Sequence, residues 1–484
     1  MSSLTLRPYQ QEDVEKLRHF KTCAILSRPR TGKTPTSLIL SSKWPKGRTL
    51  IVCTGSMLYK WQEEFKNWLK KPCEVYTGTE KQRKKALENW TEGLVITYDT
   101  LKKMKHYLKQ TEEEKENGMS RVYSHSTGAL DIIRSYNPKK LIVDEFHRAK
   151  GYNTARAHAL NLLAKDIPFR VALTGTPAYS TQLDVYNLLK FLWPNVKAFS
   201  TWWEFRQHYV DHQQIWIKRN GKLTQQAVPV KLNSKAVKLI HTLFNTYCVQ
   251  HNPEDPDVMP WLPKHPVPEI IKIPTEKDQQ KALKDLEKWF ETEDETIIAK
   301  NGLDRITKYR QLISEPRILL ENYKKVGPKT AWVLDYMKEY PDTPTIYFTN
   351  STRHIRILLP LMQKIAPTAC IIGATDHKER LEIEKQFQTG KIKHLICNTQ
   401  AAQEGLTLDT GEVEVFIEQF PPYGSIDQAS NRFTPATPEK AKIPKRIIKL
   451  ILQDTYDKVI EQIINSREKN VNVLNSFKDY LNRQ

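Results

Sequence analysis

The sequence predicts an α/β protein of two tandem parallel-sheet domains with helical insertions, and three observations lead there. Short, continuous apolar runs recur through the first part of the chain with helix-period segments between several of them, a second series of such runs comes later, and a proline-rich stretch parts the two. Runs without polar alternation belong to strands buried on both faces, which is how parallel sheets flanked by helices are built. The stretch HNPEDPDVMPWLPKHPVP, residues 251–268, contains six prolines, which cannot share a helix or a central strand.

The first domain is taken as residues 1–250. Its strand-like runs are CAILS, RTLIVCT, GLVITY, KLIVDE and RVALTGT. After the second run, Trp61, Phe65, Trp68 and Leu69 fall on one helical face and read as core. Residues 111–126, TEEEKENGMSRVYSHS, lose the apolar period and carry mixed charge, as an exposed insertion does. From about 183 to 250 the pattern is a helical, aromatic addition, interrupted by an Asn-Gly turn within residues 218–222 that implies a small hairpin. Trp202, Trp203, Trp216 and, further on, Trp261 read as core and domain packing, with stacking on bases or wedging of a junction as the alternative.

The linker is placed at residues 251–274. The second domain, 275–484, opens with a helical addition to about residue 326. It continues with TIYFT, ACIIG, HLICNT, EVFIEQF and RIIKLIL and ends in an amphipathic tail over 454–484.

A chain of 484 residues can bury two or three sizeable cores. Lys plus Arg is 75 against 55 for Asp plus Glu, a formal net charge of +20. That excess makes a polyanion the leading partner, bound with little specificity and strong salt dependence, against the plain alternative of a soluble basic surface. No run has the apolar length to cross a bilayer, and MSSLTLRPYQ has no apolar signal core, so a soluble, unexported protein without a membrane partner is expected. The cysteines at 23, 53, 73, 248, 370 and 397 are scattered, with no C-x-x-C pair, and read as reduced core residues.

Two stretches carry chemistry. CAILSRPRTGKT, residues 23–34, reads as strand, phosphate loop and helix start. Loop amides and the helix N-terminus would wrap phosphates, Lys33 neutralise the outer ones and the Thr34 hydroxyl reach Mg²⁺, so the implied ligand is a nucleoside triphosphate. The first glycine of G-x-x-x-x-G-K-[ST] falls on Ser27, and for this stretch alone an ordinary strand–turn–helix stays open. In LIVDEFHRAK, residues 141–150, Asp144 is placed to hold Mg²⁺ and Glu145 to orient and deprotonate an attacking water, the alternative being a surface acid pair at a strand end.

These residues carry a family resemblance. DEFH, residues 144–147, resembles the DExH box of superfamily 2 helicases, and its surroundings look like those of Swi/Snf-type DNA translocases. LRPYQ at 6–10 is similar to the family's Q motif, LIVCTGSMLYKWQEEFKNW to motif Ia, VITYDTL at 95–101 to motif Ib, and ALTGTPAYSTQLDVYNLLKFLWP at 172–194 to its LTGTP segment. Beyond the linker, ITKYRQLISEPRIL resembles the segment before the second motor domain. TIYFTNST looks like motif IV, CNTQAAQEGLTL at 397–408 like motif V and QASNRF at 428–433 like part of motif VI.

The resemblance implies two tandem RecA-like domains that use ATP and Mg²⁺. Carried over residue by residue, Gln10 reads adenine, and Arg30, Thr31, Gly32, Lys33, Thr34 and Gly405 bind the nucleotide. Thr34 and Asp144 hold Mg²⁺, and Lys33, Asp144, Glu145, Gln428 and Arg432 are catalytic. His147, Thr174 and Thr176 couple nucleotide state to the track. Thr54, Lys60, Thr97, Tyr98, Thr349, Asn350, Thr399 and Gln400 contact the phosphate backbone without reading bases.

There are three departures. Ser27 and Arg30 stand where the family has small or glycine residues, and Pro435 stands at motif VI's second arginine, with Lys445 and Arg446 as nearby substitutes. The implied function is an ATP-dependent translocase or helicase, a monomeric motor on duplex, forked or branched DNA that remodels forks or junctions. A strand-separating DNA or RNA helicase, and a non-hydrolysing binding module that keeps the motor fold, are the alternatives. The compact chain looks like the minimal stand-alone members of viruses and bacteria, which implies the bacterial or infected-host cytoplasm.

Overall fold

The computed structural model describes residues 4–102, 129–178, 181–219, 222–289, 302–402, 406–418, 430, 432–435, 437–455 and 457. The insertion read at 111–126, most of the tail, Gly405 and Gln428 lie outside the described residues. The chain divides between Pro260 and Trp261 into two compact units.

The first unit is built on a parallel sheet of β1 (Thr22–Ile25), β2 (Thr49–Cys53), β3 (Cys73–Val75), β4 (Gly93–Thr97), β5 (Lys140–Val143), β6 (Phe169–Leu173) and β9 (Cys248–Val249), in the order β3-β4-β2-β5-β6-β1-β9. All five runs read from the sequence are strands of this sheet. Strands β3 and β9, of three and two residues, are too short to leave a pattern. Alternate residues of each strand enter opposite cores: Ala24, Leu50, Val52, Leu141 and Val143 on one face, Cys23, Ile25, Ile51, Ile142 and Val171 on the other. This two-sided burial is why the runs are continuously apolar. Helix α1 (Pro8–Leu17) starts with proline at its first position, where a missing N–H costs nothing. Helix α2 (Lys33–Lys43) follows the phosphate loop, and α3 (Leu58–Leu69) buries Trp61 and Phe65 against the sheet.

The addition after residue 183 is less helical than its sequence suggests. Helices Tyr186–Leu192, Lys197–Ser200, Trp202–Tyr209 and Ser234–Tyr247 are interrupted by an antiparallel ribbon of β7 (Val210–Arg219) and β8 (Lys222–Leu232), with strands of 10 and 11 residues. The run DHQQIW has no strict alternation to mark so long a strand. Trp202 packs as expected, stacked on Tyr152 with ring centroids 4.7 Å apart. The packing expectation is corrected for Trp203 and Trp216, which are 62% and 65% exposed.

Residues 251–260, expected to open the linker, pack on the first unit. His251, Val258 and Met259 are buried, and the Arg7 guanidinium donates to Val258 O at 3.0 Å. The end of the expected linker forms β10 (Glu269–Ile273), an edge strand of the second unit.

That unit's sheet joins β10 to β11 (Thr345–Thr349), β12 (Thr368–Ile371), β13 (His394–Asn398), β14 (Val413–Phe416) and β15 (Arg446–Leu452), all paired in parallel in the order β10-β15-β14-β11-β13-β12. Its two faces also carry separate cores, with Tyr347, Val415 and Ile448 on one and Ile346, Phe348 and Phe416 on the other. The six cysteines are unpaired thiols, five buried and Cys370 partly so. Among the described residues no helix is long and apolar enough to cross a membrane.

Candidate active site

Strands β5, β6 and β1 are parallel neighbours, so the residues that follow each of them leave the sheet at one edge. β1 delivers the phosphate loop, β5 delivers Asp144 and Glu145, and β6 delivers Thr174 to Thr176. Segments more than a hundred residues apart become one site through this topology.

The phosphate loop is held from α1. Gln10 is buried, its Nε2 donating to Thr31 O at 3.3 Å and Gly32 O at 3.4 Å while its Oε1 accepts from Arg7 N at 2.9 Å. The Tyr9 hydroxyl adds a bond to Thr31 O at 2.8 Å. Gly32 caps α2 with φ of +74°, a backbone that favours glycine, and a Cβ there would lie 2.1 Å from Gln10 Nε2, so any side chain has to displace the Gln10 amide. Arg30 takes φ of +69°, a left-handed conformation that strains a residue with a Cβ. Ser27 explains its own departure from the pattern: its Oγ accepts from His251 N at 3.0 Å, and Arg28 N donates to His251 O at 2.9 Å. The serine thus anchors the loop to the segment that follows β9, and His251 Nε2 donates in turn to Asp13 Oδ1 at 2.9 Å.

The acid pair is equally constrained. Asp144 is buried, with Oδ2 accepting from Trp61 Nε1 at 2.8 Å and Oδ1 from Glu145 N at 3.0 Å. Burial pushes the Asp144 carboxyl up to about 6, with the Glu145 charge adding to the rise and the Trp61 N–H and nearby Lys33 opposing it. The Tyr98 hydroxyl donates to Asp144 O at 2.6 Å. Glu145 has φ of +48°, so the candidate base sits on strained backbone. Its Oε2 is 3.3 Å from Nδ1 of buried His147, and the same nitrogen is 3.5 Å from Thr174 Oγ1. Burial holds the His147 pKa below its ordinary value.

Thr174 Oγ1 accepts from Thr176 N at 3.1 Å, while the buried Thr176 Oγ1 has no hydrogen-bond partner among the described residues. A Cβ on Gly175 would come within 3.2 Å of Arg28 Cα, so the loop after β6 touches the start of the phosphate loop. Contacts therefore run from Glu145 through His147 and Thr174 back to the phosphate loop. The carboxylates of Asp144 and Glu145 and the hydroxyl of Thr34, in the first turn of α2, are of the hard oxygen class that Mg²⁺ takes.

Three of the expected backbone contacts face inward. Tyr98 is buried with its hydroxyl committed to Asp144, Thr349 is buried with Oγ1 donating to Glu418 Oε1 at 2.8 Å, and Thr399 is buried. Each of these side chains is buried within its own unit. Thr54 is also buried, its Oγ1 3.2 Å from Ser56 Oγ. Lys60 and Gln400 are exposed, and Thr97 and Asn350 half-buried.

In the second unit, Arg432 is half-buried and its carbonyl accepts from Leu408 N at 3.1 Å. The proposed stand-ins for a second arginine are engaged locally: Lys445 Nζ donates to Asp409 O at 2.7 Å and to Gly411 O, and Arg446 to Glu269 Oε2 at 2.8 Å. Sequence reasoning missed Tyr9, Trp61 and His251 as parts of the site. Tyr9 had a signal in its neighbour Gln10, whereas the other two read only as a core aromatic and a linker residue.

A phosphate loop and acid pair at the strand ends of one parallel sheet, in a chain that carries a second parallel-sheet unit, define a two-domain nucleotide-binding protein of the superfamily 2 helicase class. The SNF2-related domain matches residues 8–321 and the helicase conserved C-terminal domain matches residues 328–433. The chain belongs to the SNF2-related family. It is 24% identical over 439 residues to the DNA annealing helicase and endonuclease ZRANB3 of Mus musculus, covering 88% of this chain and 37% of that protein. It is 23% identical over 501 residues to the chromodomain-helicase-DNA-binding protein 1-like of Danio rerio, covering 96% of this chain and 43% of that protein. The chain thus spans well under half the length of these relatives. Among solved structures, the Sulfolobus solfataricus SWI2/SNF2 ATPase core in complex with dsDNA aligns over 98% of this chain and 94% of that one, with a TM-score of 0.40 and 18% identity.

Proposed function

We propose that the protein is an ATP-dependent motor that moves along duplex, forked or branched DNA with little sequence preference, acting as a monomer. The observation that carries the reading is the buried Asp144–Glu145 pair beside the phosphate loop, with Lys33 close enough to Asp144 to favour its charged form. The relatives' names, a DNA annealing helicase and a helicase-DNA-binding protein, support DNA as the track. The net charge of +20 supports a polyanion.

In this reading Lys33 and the loop amides hold the outer phosphates, and Gln10 keeps the loop in shape beside the adenine. Thr34 and Asp144 hold Mg²⁺, which when bound offsets charge on the phosphoryl oxygens. Glu145 orients the water and takes its proton, while His147 fixes the carboxylate and reports its state to Thr174 and Thr176. Gly405, Gln428 and Arg432 of the second unit serve the same nucleotide, the arginine by stabilising charge that develops in transfer. Lys60, Thr97, Asn350 and Gln400 contact the DNA backbone through side chains. Thr54, Thr349 and Thr399 do so through main-chain groups.

The test is ATP hydrolysis by the purified protein without nucleic acid and with duplex, single-stranded or forked DNA or RNA, beside Lys33→Ala and Glu145→Gln. Strong stimulation by duplex or forked DNA, lost in both variants while Glu145→Gln still binds ATP, is the expected result. Stimulation by RNA alone would make the protein an RNA helicase, and no hydrolysis on any substrate would make it a binding module.

A further inference from the structure

The β7–β8 ribbon stands off the first unit. Residues 211–216 and 223–226 are exposed on both faces, and burial begins only at its root, where Val210 and Leu232 enter the core. A two-stranded ribbon with water on both sides is marginally stable and gains nothing by displaying large apolar groups. Yet Trp216 is exposed and Leu223 is 67% exposed. The register sets Trp216 opposite Gln225 and Lys218 opposite Leu223, so Trp216 and Leu223 occupy diagonal positions on one face, within reach of each other.

A second exposed tryptophan stands at the root. The Arg206 guanidinium lies 5.6 Å over the Trp203 ring and donates to Ala227 O and His212 Nε2, both at 2.6 Å, tying that ring to the ribbon. The strands close at Arg219 and Lys222, which brings Lys218, Arg219 and Lys222 together in sequence at the far end. Asp211, at the root, is the ribbon's single acid.

We propose that this ribbon is a contact for unpaired DNA strands: Trp216, backed by Leu223, stacks on a base of a single-stranded arm. The chemistry selects this occupant. Duplex DNA keeps its base faces inside the stack, whereas a single strand leaves them open, and an exposed aromatic ring on a chain with a net charge of +20 matches a single strand's open base faces and its phosphates. The inference rests on the DNA reading above and adds to it the kind of strand that is recognised, at a place outside the motor motifs.

The test uses the full chain and its Trp216→Ala and Trp216→Phe variants, with binding measured by anisotropy to labelled blunt duplex, forked duplex with oligo(dT) arms and single-stranded oligo(dT). Trp216→Ala is expected to weaken binding to forked and single-stranded DNA by about tenfold, and Trp216→Phe much less, since loss of a stacking ring costs about that much per base. Blunt-duplex binding, DNA-free ATP hydrolysis and thermal stability should be unchanged, because the side chain is exposed. An equal loss on blunt duplex, or no loss on any DNA, would overturn the proposal. So would sedimentation showing a dimer that Trp216→Ala dissociates, which would make the ribbon a self-association surface. Failure of the unmodified chain to bind any DNA would sink the motor reading itself, and is told apart by needing no variant.

Discussion

The indole N–H of Trp61 donates to Asp144 Oδ2 at 2.8 Å across 83 positions of sequence. Trp61 is fully buried on one face of the first sheet, so a single ring serves both the core and the acid that the site depends on. The bond is made to the charged form of a carboxylate that burial otherwise disfavours.

Replacing Trp61 with Phe keeps most of the ring and removes the donor. The first unit should lose roughly 1.5–3 kcal/mol, the usual worth of a bond to a charged group. The Asp144 carboxyl should rise further, and Mg²⁺-dependent ATP hydrolysis should fall about tenfold, as removal of a supporting partner of a metal ligand commonly costs. Urea unfolding and steady-state hydrolysis check the two parts, and unchanged hydrolysis would reduce Trp61 to a packing residue.

Tyr98→Phe separates two roles for a residue expected to grip DNA. Since its hydroxyl holds Asp144 O from inside the protein, the variant should lose about 1 kcal/mol of stability and some hydrolysis both with and without DNA. Its affinity for DNA should stay the same. A weaker DNA complex with intact DNA-free hydrolysis would restore the grip.

Gly32 and Gln10 should be coupled. Gly32→Ala places a Cβ at positive φ and 2.1 Å from Gln10 Nε2, so ATP affinity should fall sharply. Gln10→Ala alone loosens the loop, but in the double variant it removes the collision and leaves the backbone strain. The pair should therefore cost less than the sum of its parts, by about 0.5–3 kcal/mol of coupling in a double-mutant cycle on ATP binding. Strict additivity would mean that the loop moves away from Gln10 on its own.

The second unit should weaken in acid. His354 is fully buried between Ser314 Oγ, 2.6 Å from Nδ1, and Thr330 Oγ1, 2.8 Å from Nε2, and burial lowers its pKa to about 4. An unfolded histidine titrates near 6.5, so between these values the unfolded chain binds the proton that the folded one excludes. Stability is full above about pH 6.5 and is lost as pH falls toward 4, by about 2–3 kcal/mol between pH 7.5 and 4.5. Glu315 acts in the same sense at lower pH: against the cost of burial, bonds from Arg317 and Thr330 hold its carboxyl below the ordinary range. Asp144, with its raised pKa, works the other way in the first unit, so the quantity to measure is the difference between the unmodified chain and His354→Gln. The variant should show the shallower loss, and equal slopes would remove His354 as the cause.

What was legible without coordinates was local. Ten of the strands announce themselves as short apolar runs because two-sided burial leaves no room for polar alternation. The Gly32–Lys33–Thr34 and Asp144–Glu145 groups are legible because phosphate and water chemistry needs neighbouring residues at set spacings. Strands β3, β9 and β10 are too short or too exposed to carry a period, and the β7–β8 ribbon lies in a stretch whose alternation is broken.

The remaining features depend on partners distant in the chain. That Ser27 binds His251, that Trp61 holds Asp144, that Tyr98 and Thr349 turn inward and that Trp216 faces water are outcomes of which surfaces meet. Residue type sets what a side chain can bond to, but only the pairing of β1 with β9, and the packing of α3 against β3 and β4, decides which atom lies within about 3 Å of it.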